Sequence, residues 1–354
     1  MRAIPTKCVK EGSILGENLY TASGQILLKS DTILSANLLY KINSNKIYTL
    51  YIKDVHSDYE VNRLLEQSFR VKGVLLIKEL FLLALDDKHV LDFHNKLSVY
   101  ADDVLYELKS SQNQSIEYID VKNVDAYIYS SSLNVALLSC LIAWKMGYND
   151  EMVKHIFLGA IYHDIGIALL PEDVINKTSA LTTKEKLMIL NHPNGGYEFV
   201  KSKSYLSAYI KQIVLQHHEC IDGSGYPQRL EGEDIAEISQ IVGIADIYDA
   251  MTSDRPYKRA VPPSEALEYI LGSSNKYNRK VVDSFIQHIV PYPKGALVEL
   301  SNGEIGVVDD INPNFPLRPK IRIITKTKEG YEYEEVDLEF QNNLVINKLS
   351  YDII

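Results

Sequence analysis

Short apolar runs and longer helical stripes divide the chain into three blocks. Residues 1 to about 55 carry brief β-branched or aromatic runs, "QILLK" at 25–29 and "KIYTLYI" at 46–52, punctuated by Gly12, Gly16 and Gly24. That pattern predicts a small strand-containing module. From about Val61 the period lengthens: Val61, Leu64, Leu65 and Phe69 fall on one helical face, as do Leu97, Ala101, Val104, Leu105 and Leu108. "SSQNQS" at 110–115 reads as a linker, and the segment from about 116 to 290 is the largest helical block. Within it, Leu133, Ala136, Leu137, Cys140, Leu141 and Trp144 keep the spacing of a helix that turns one apolar face inward. After "PYPKG" at 291–295 the period shortens again. "ALVEL", a turn centred on Asn302-Gly303, and "IGVV" predict one hairpin; "KIRIITK" and "YEYEEVDL" predict a second that turns at Glu329-Gly330. The expected organisation is a mainly α protein: an N-terminal module over 1–112, strands then helices, an all-helical bundle over 113–292, and a β-rich C-terminal extension over 293–354.

Composition narrows the classes. The 354 residues are 46% hydrophobic and 24% charged, the mix of a folded globular chain long enough for more than one core. Lys and Arg number 37 against 47 Asp and Glu, and the net charge of −10 argues against DNA or an anionic membrane as a general partner. An anionic ligand would therefore need a local basic site. Cys8, Cys140 and Cys220 are far apart and form no CxxC pair, which argues against a disulfide framework and a cysteine zinc site and fits a reducing cytoplasm. Met1 to Gly16 lacks the apolar core of a signal peptide. Val74 to Leu85, the greasiest stretch, is too short to span a bilayer and is broken by Lys78 and Glu79.

Five of the nine histidines, His56, His89, His94, His155 and His288, stand in ordinary helical or charged contexts. The other four do not. His163-Asp164 closes an apolar helical run just before Gly166, His192 precedes Pro193, His217 and His218 are adjacent, and Asp246 interrupts the apolar "IVGIADIYDA". Each sits where an unpaired polar group is costly to bury, and a metal removes that cost. Mixed imidazole and carboxylate donors without thiolates suit two closely spaced first-row metals, iron or manganese before zinc or nickel. Two such ions suit phosphoester hydrolysis, because together they generate hydroxide near neutral pH and clamp the phosphoryl oxygens.

Two further features fit a phosphate-bearing ligand. In "HHECIDGSGYP" at 217–227, Gly223, Ser224 and Gly225 let backbone approach a ligand and present Tyr226, whose ring can stack on a purine. In "TSDRPYKRA" at 252–260, Arg255, Lys258 and Arg259 form a cationic cluster in an acidic protein, suited to holding phosphate.

Residues 116–290 resemble the HD-GYP domain, a branch of the HD phosphohydrolases that hydrolyses the bacterial second messenger cyclic di-GMP. The resemblance rests on "HDIG" at 163–166, "HP" at 192–193, "HHE" and "DGSGYP" within 217–227, and "ADIYDAMTSDRPYK" at 245–258. It implies a helical bundle that holds two divalent metals. His163 and Asp164 would be metal ligands at the catalytic centre, with Asp164 bridging. Asp246 would join the first metal, and His192, His217 and His218 would complete the second. Tyr226, Gly225, Arg255 and Lys258 would contact the cyclic dinucleotide. The implied product is pGpG, or GMP after a second cut. Diguanylate-cyclase domains are the implied partners through the GYP region, and a homodimer is compatible with the family.

The chain departs from the family pattern at three places. Ser131 stands where members carry a histidine ligand of the first metal, Ile167 where they carry a phosphate-binding lysine, and Tyr127 where some carry a carboxylate for a third metal. Even a supporting group around a metal is worth about 10–100-fold in affinity or activity. The resemblance therefore implies reduced hydrolysis, or a receptor that binds cyclic di-GMP without cutting it.

Overall fold

The N-terminal block folds into short strands around one helix, in a computed structural model that describes residues 1–21, 25–45, 47, 49–56, 65–86, 90–111, 127–175, 177, 179–253, 260–273 and 275–351. Strands β1 (Arg2–Pro5), β2 (Leu19–Tyr20) and β3 (Ile26–Leu28) are followed by helix α1 (Ala36–Ser44) and strand β4 (Thr49–Ile52). β1 pairs antiparallel with β4, and β2 with β3. The Ser35 side chain caps α1 by accepting the Leu38 N–H at 3.4 Å. Ile4, Leu15, Leu34, Ile42 and Leu50 close a small core of their own.

Two long helices follow, α2 (Gln67–Asp86) and α3 (Val90–Ser111). Val61 and Leu64 lie outside the described residues. The apolar face read on α3 is buried throughout: Leu97, Ala101, Val104, Leu105 and Leu108 all point inward. These side chains share one continuous core with α4 (Tyr127–Lys145) and α5 (Asp150–Tyr162). The linker read at 110–115 falls, beyond Ser111, outside the described residues.

The helix expected to turn one face inward does something else. Every residue of α4 from Ser131 to Ala143 is buried, not only the stripe of Leu133, Ala136, Leu137, Cys140 and Leu141. A helix without a charged face belongs in the interior, and α4 contacts α2, α5, α10 (Glu237–Thr252) and α12 (Arg279–Ile286). Between α5 and α10 run a tight helical turn at Ile165–Leu169, the short α6 (Glu172–Ile175) and α7 (Thr183–Leu190), and then α8 (His192–Lys201) and α9 (Ala208–Gln216). α11 (Pro263–Gly272) precedes α12. The starts of the helices that lead into the site are fixed by side-chain caps. Asn149 accepts from Met152 N–H at 2.9 Å ahead of α5, and Ser207 accepts from Ile210 N–H at 3.3 Å ahead of α9. Two stretches, Ile128–Lys145 and Asp150–Leu169, are long and apolar enough to cross a membrane by length and composition. Both lie mostly inside the bundle, so the packed core accounts for their apolarity.

Both hairpins read at the C-terminus form. β5 (Leu297–Leu300), β6 (Ile305–Asp310), β7 (Lys320–Lys326), β8 (Tyr331–Asp337) and β9 (Ile346–Ser350) make an antiparallel sheet in the order β8-β7-β6-β5-β9. The two ends of the chain meet. Arg2 donates from Nη1 to the Ser350 carbonyl at 3.1 Å and pairs with Asp54 at 2.9 Å, while His56 Nδ1 lies 2.9 Å from the Tyr333 hydroxyl. The first module is thereby docked on the last sheet.

Candidate metal centre

Each candidate ligand stands at an end of a helix, except Asp246. His163 and Asp164 directly follow α5, His192 opens α8, His217 and His218 directly follow α9, and Asp246 lies within α10. Carbonyls in the last turn of a helix have spare accepting capacity, and the imidazoles use them. His163 donates from Nδ1 to the Ala160 carbonyl at 2.6 Å, and His192 from Nδ1 to the Ile189 carbonyl at 2.7 Å. His217 Nδ1 lies 3.1 Å from both the Ile213 and Val214 carbonyls. A carbonyl only accepts, so the proton of each neutral ring sits on Nδ1 and its Nε2 carries a lone pair.

These lone pairs converge. His192 Nε2 and His217 Nε2 face each other at 3.3 Å. Asp164 Oδ1 lies 3.0 Å from His192 Nε2 and 3.9 Å from His217 Nε2, and His218 completes a group of four whose donor atoms all lie within 4.8 Å of one another. The other oxygen, Asp164 Oδ2, lies 3.4 Å from His163 Nε2, and Asp246 Oδ1 lies 3.8 Å from the same nitrogen. His163 Nε2 is buried and closes a hydrogen bond to neither. Asp164 thus turns one oxygen toward each half of the cluster, the geometry of a bridging carboxylate. Asp246, read as serving only the first half, also reaches the second, with Oδ2 3.8 Å from His218 Nδ1. Two facing lone pairs, an orphaned buried nitrogen and two carboxylates fit divalent cations and are poorly satisfied without them.

The electrostatics separate the rings by charge. Burial opposes charge on Asp164, yet the His163 and His192 imidazoles outweigh it and hold the carboxyl well below the usual range. Burial likewise opposes charge on His163, but Asp164 and Asp246 hold its pKa well above the ordinary value. Burial and then the neighbouring imidazoles of His218, His163 and His192 push His217 well below it, which favours the neutral ring.

The loop after His218 is built onto the same cluster. The Tyr226 ring stacks on the His218 ring, with centroids 4.6 Å apart and planes 27° apart, and its N–H donates to the His218 carbonyl at 3.2 Å. Gly225, read as letting backbone approach a ligand, instead lets the loop approach its own chain. It is buried, and a Cβ there would lie 2.3 Å from Cys220 N and 2.5 Å from Glu219 Cα. Gly166 has a similar role at the other side of the site: a Cβ would sit 2.0 Å from the His192 carbonyl oxygen. Only glycine lets the turn after Asp164 come close enough to α8 for Asp164 to meet His192. Arg255, Lys258 and Arg259 lie outside the described residues. Of the histidines set aside, His56 sits between the end modules, His94 beside Tyr162, His155 against Tyr209, and His288 is buried; His89 lies outside the described residues.

Two family models match this chain: the HD domain over residues 108–281, and the KOW domain associated with HD domain over 297–351. The chain is 31% identical over 247 residues to Cyclic di-GMP phosphodiesterase PA4108 of Pseudomonas aeruginosa, a match covering 68% of this chain and 60% of that protein. It is also 31% identical over 222 residues to Cyclic di-GMP phosphodiesterase PdeB of Borreliella burgdorferi, covering 62% and 58%. The chain belongs to the HD-GYP family. It spans about three fifths of the length of those two curated relatives. Among solved structures, Bd1817, an HDG"Y"P protein from Bdellovibrio bacteriovorus, overlays with a TM-score of 0.49 at 17% identity, over 80% of this chain and 97% of that one.

Two residues of this HD-GYP protein escaped the sequence reading. Glu219 is 6% exposed, and its carboxylate accepts from Gln228 N–H at 2.7 Å and Leu230 N–H at 3.0 Å, which ties the far side of the GYP loop to the residue after His218. Its place in "HHE" was the only signal. Asp249, one turn beyond Asp246, is 1% exposed and accepts from Ser131 Oγ at 2.6 Å and Asn134 Nδ2 at 3.0 Å. The serine that replaces the family's histidine is therefore committed to a carboxylate. Ile167, at the place of the lysine, is half-buried and brings no charge.

Protons and metals compete for these nitrogens. Because Asp164 and Asp246 raise the pKa of His163, its proton is lost only as pH rises through that raised value, so metal content should fall as pH is lowered. Equilibrium dialysis with metal analysis checks this; occupancy independent of pH contradicts it. Glu219→Ala removes the carboxylate that accepts from two N–H groups, each such bond to a charged group being worth about 1.5–3 kcal/mol. Hydrogen exchange at Gln228 and Leu230 should speed up by at least tenfold, and unchanged exchange contradicts the clamp.

Proposed function

We propose that this HD-GYP protein is a metal-dependent phosphodiesterase that hydrolyses cyclic dinucleotides, with cyclic di-GMP as its substrate. The observation that carries the reading is the convergence of the bare His192 and His217 Nε2 atoms, 3.3 Å apart, on an Asp164 carboxylate whose second oxygen faces His163. The names of the curated relatives support the substrate class. Two divalent ions, iron or manganese, would supply the acidity that makes water a nucleophile near neutral pH and would clamp the phosphoryl oxygens of an in-line displacement.

The chain's own residues do the rest. His163, Asp164 and Asp246 hold one side, and Asp164, His192, His217 and His218 the other. The Nδ1–H bonds to helix carbonyls lock His163, His192 and His217 in a ligating orientation, as outer partners of metal-bound histidines do. Tyr226, held against His218, offers a ring for stacking on a guanine. Arg255 and Lys258 bind the phosphates, through a planar fork and a point charge respectively. Hydrolysis gives pGpG, then GMP if a second bond is cut. A diguanylate-cyclase domain docks through the GYP loop.

One observation favours a second reading, a receptor that retains cyclic di-GMP uncut. Ser131 replaces a ligating imidazole, and its hydroxyl is spent on Asp249. Protein purified anaerobically, loaded separately with iron and manganese, and held in excess over cyclic di-GMP should release pGpG or GMP slowly, as resolved by chromatography. Asp164→Asn and His217→Ala should each lower turnover at least 100-fold. Turnover that survives both substitutions overturns the metal mechanism; retained ligand without product under either metal moves the reading to the receptor.

A further inference from the structure

Asp249 is a buried carboxylate, and such a group needs donors and a compensating charge. Among the described residues, two of its donors are Ser131 Oγ, at 2.6 Å from Oδ2, and Asn134 Nδ2, at 3.0 Å from Oδ1, both on α4. A cation stands one link further on. Arg70, on α2, donates from Nη2 to Asn134 Oδ1 at 2.6 Å. The guanidinium polarises the amide, and the amide passes that polarisation to the carboxylate as a stronger N–H donor. Three helices are thus joined by one chain of hydrogen bonds: α2 through Arg70, α4 through Asn134 and Ser131, and α10 through Asp249.

The far end of this chain lies beside the metal centre. Asp249 follows Asp246 by three residues, so both project from the same side of α10. Asp246 reaches His163 Nε2 and His218 Nδ1 at 3.8 Å each, distances that a small rotation or slide of α10 would change. Asp249, tied at both oxygens, fixes that rotation.

We propose that Arg70 is a positioning residue for Asp246, acting through Asn134 and Asp249, so that a helix preceding the matched HD domain forms part of the support of the metal centre. This rests on the metal-centre reading given above. In a member where Ser131 replaces the histidine, the first metal position depends on its carboxylates, and its affinity should be sensitive to their placement.

The test is manganese titration of the full chain by calorimetry, which needs no turnover. Wild type should take up manganese in two steps. Arg70→Met, which keeps bulk but removes the donors, should weaken the step assigned to His163 and Asp246 by about 10–100-fold, as losing a supporting partner does, and weaken the other step, which Asp246 meets only through His218, by less. Arg70→Lys, which keeps a cationic donor, should recover part of the loss. Arg70→Met combined with Asp249→Asn should lose no more than the worse single variant, because both act through one chain. If Arg70→Met does not fold, Asn134→Ser carries the test: it breaks the link to Arg70, leaves Ser131 on Asp249, and should weaken the same step. Identical titrations for wild type and the folded variant, or fully additive losses in the double variant, overturn the proposal alone. A wild-type protein that takes up no manganese overturns both the proposal and the metal-centre reading beneath it.

Discussion

Three buried imidazoles, His163, His192 and His217, are gathered with His218 and two carboxylates, and the hydrogen-bonding capacity of those three rings is met on one side only. The outer nitrogen of each of His163, His192 and His217 is bonded to a helix-terminal carbonyl, while the inner nitrogens face one another or a carboxylate. Burial in this form is unfavourable unless cations lie among them. The rest of the site follows from that requirement. Helix ends supply the carbonyls, Gly166 permits the close approach of the turn after Asp164 to α8, and Tyr226 and Glu219 fasten the neighbouring loop to the same residues.

The fold serves this centre by surrounding α4, which is buried from Ser131 to Ala143. Because α4 is covered on all sides, α5 and α10 are held in register on either side of it, and the ligands they carry meet at one end of the bundle. The cover includes α2, which lies before the matched HD domain but contributes to the same hydrophobic core. A polar chain crosses that core from Arg70 to Asp249, so helix packing and ligand placement are coupled.

Much of this was legible in the order of residues. Alternation identified the C-terminal hairpins, and polar residues interrupting apolar runs identified the six ligand candidates, because a buried charge leaves a visible defect in an apolar pattern. Through-space relations left no such mark. Periodicity on α4 showed the best apolar face but not that the remaining faces, with Ser131, Ser132 and Asn134 among their residues, were also covered. The contact between Arg70 and Asn134 and that between Arg2 and the Ser350 carbonyl join residues far apart in the chain, and nothing local announces them. Gly225 was read for ligand approach because a glycine-rich loop beside ligands suggests it; the space is taken by Cys220 and Glu219 instead.

The central claim is that the inner nitrogens of these histidines are metal ligands. Crystals of protein purified anaerobically with its metals, measured on both sides of the iron and manganese absorption edges, test it most directly. Two anomalous peaks bridged by Asp164, one against His192, His217 and His218 and the other against His163 and Asp246, are the result the account predicts. Crystals of metal-loaded protein with no anomalous peak at these nitrogens, or with metal bound elsewhere, would contradict it.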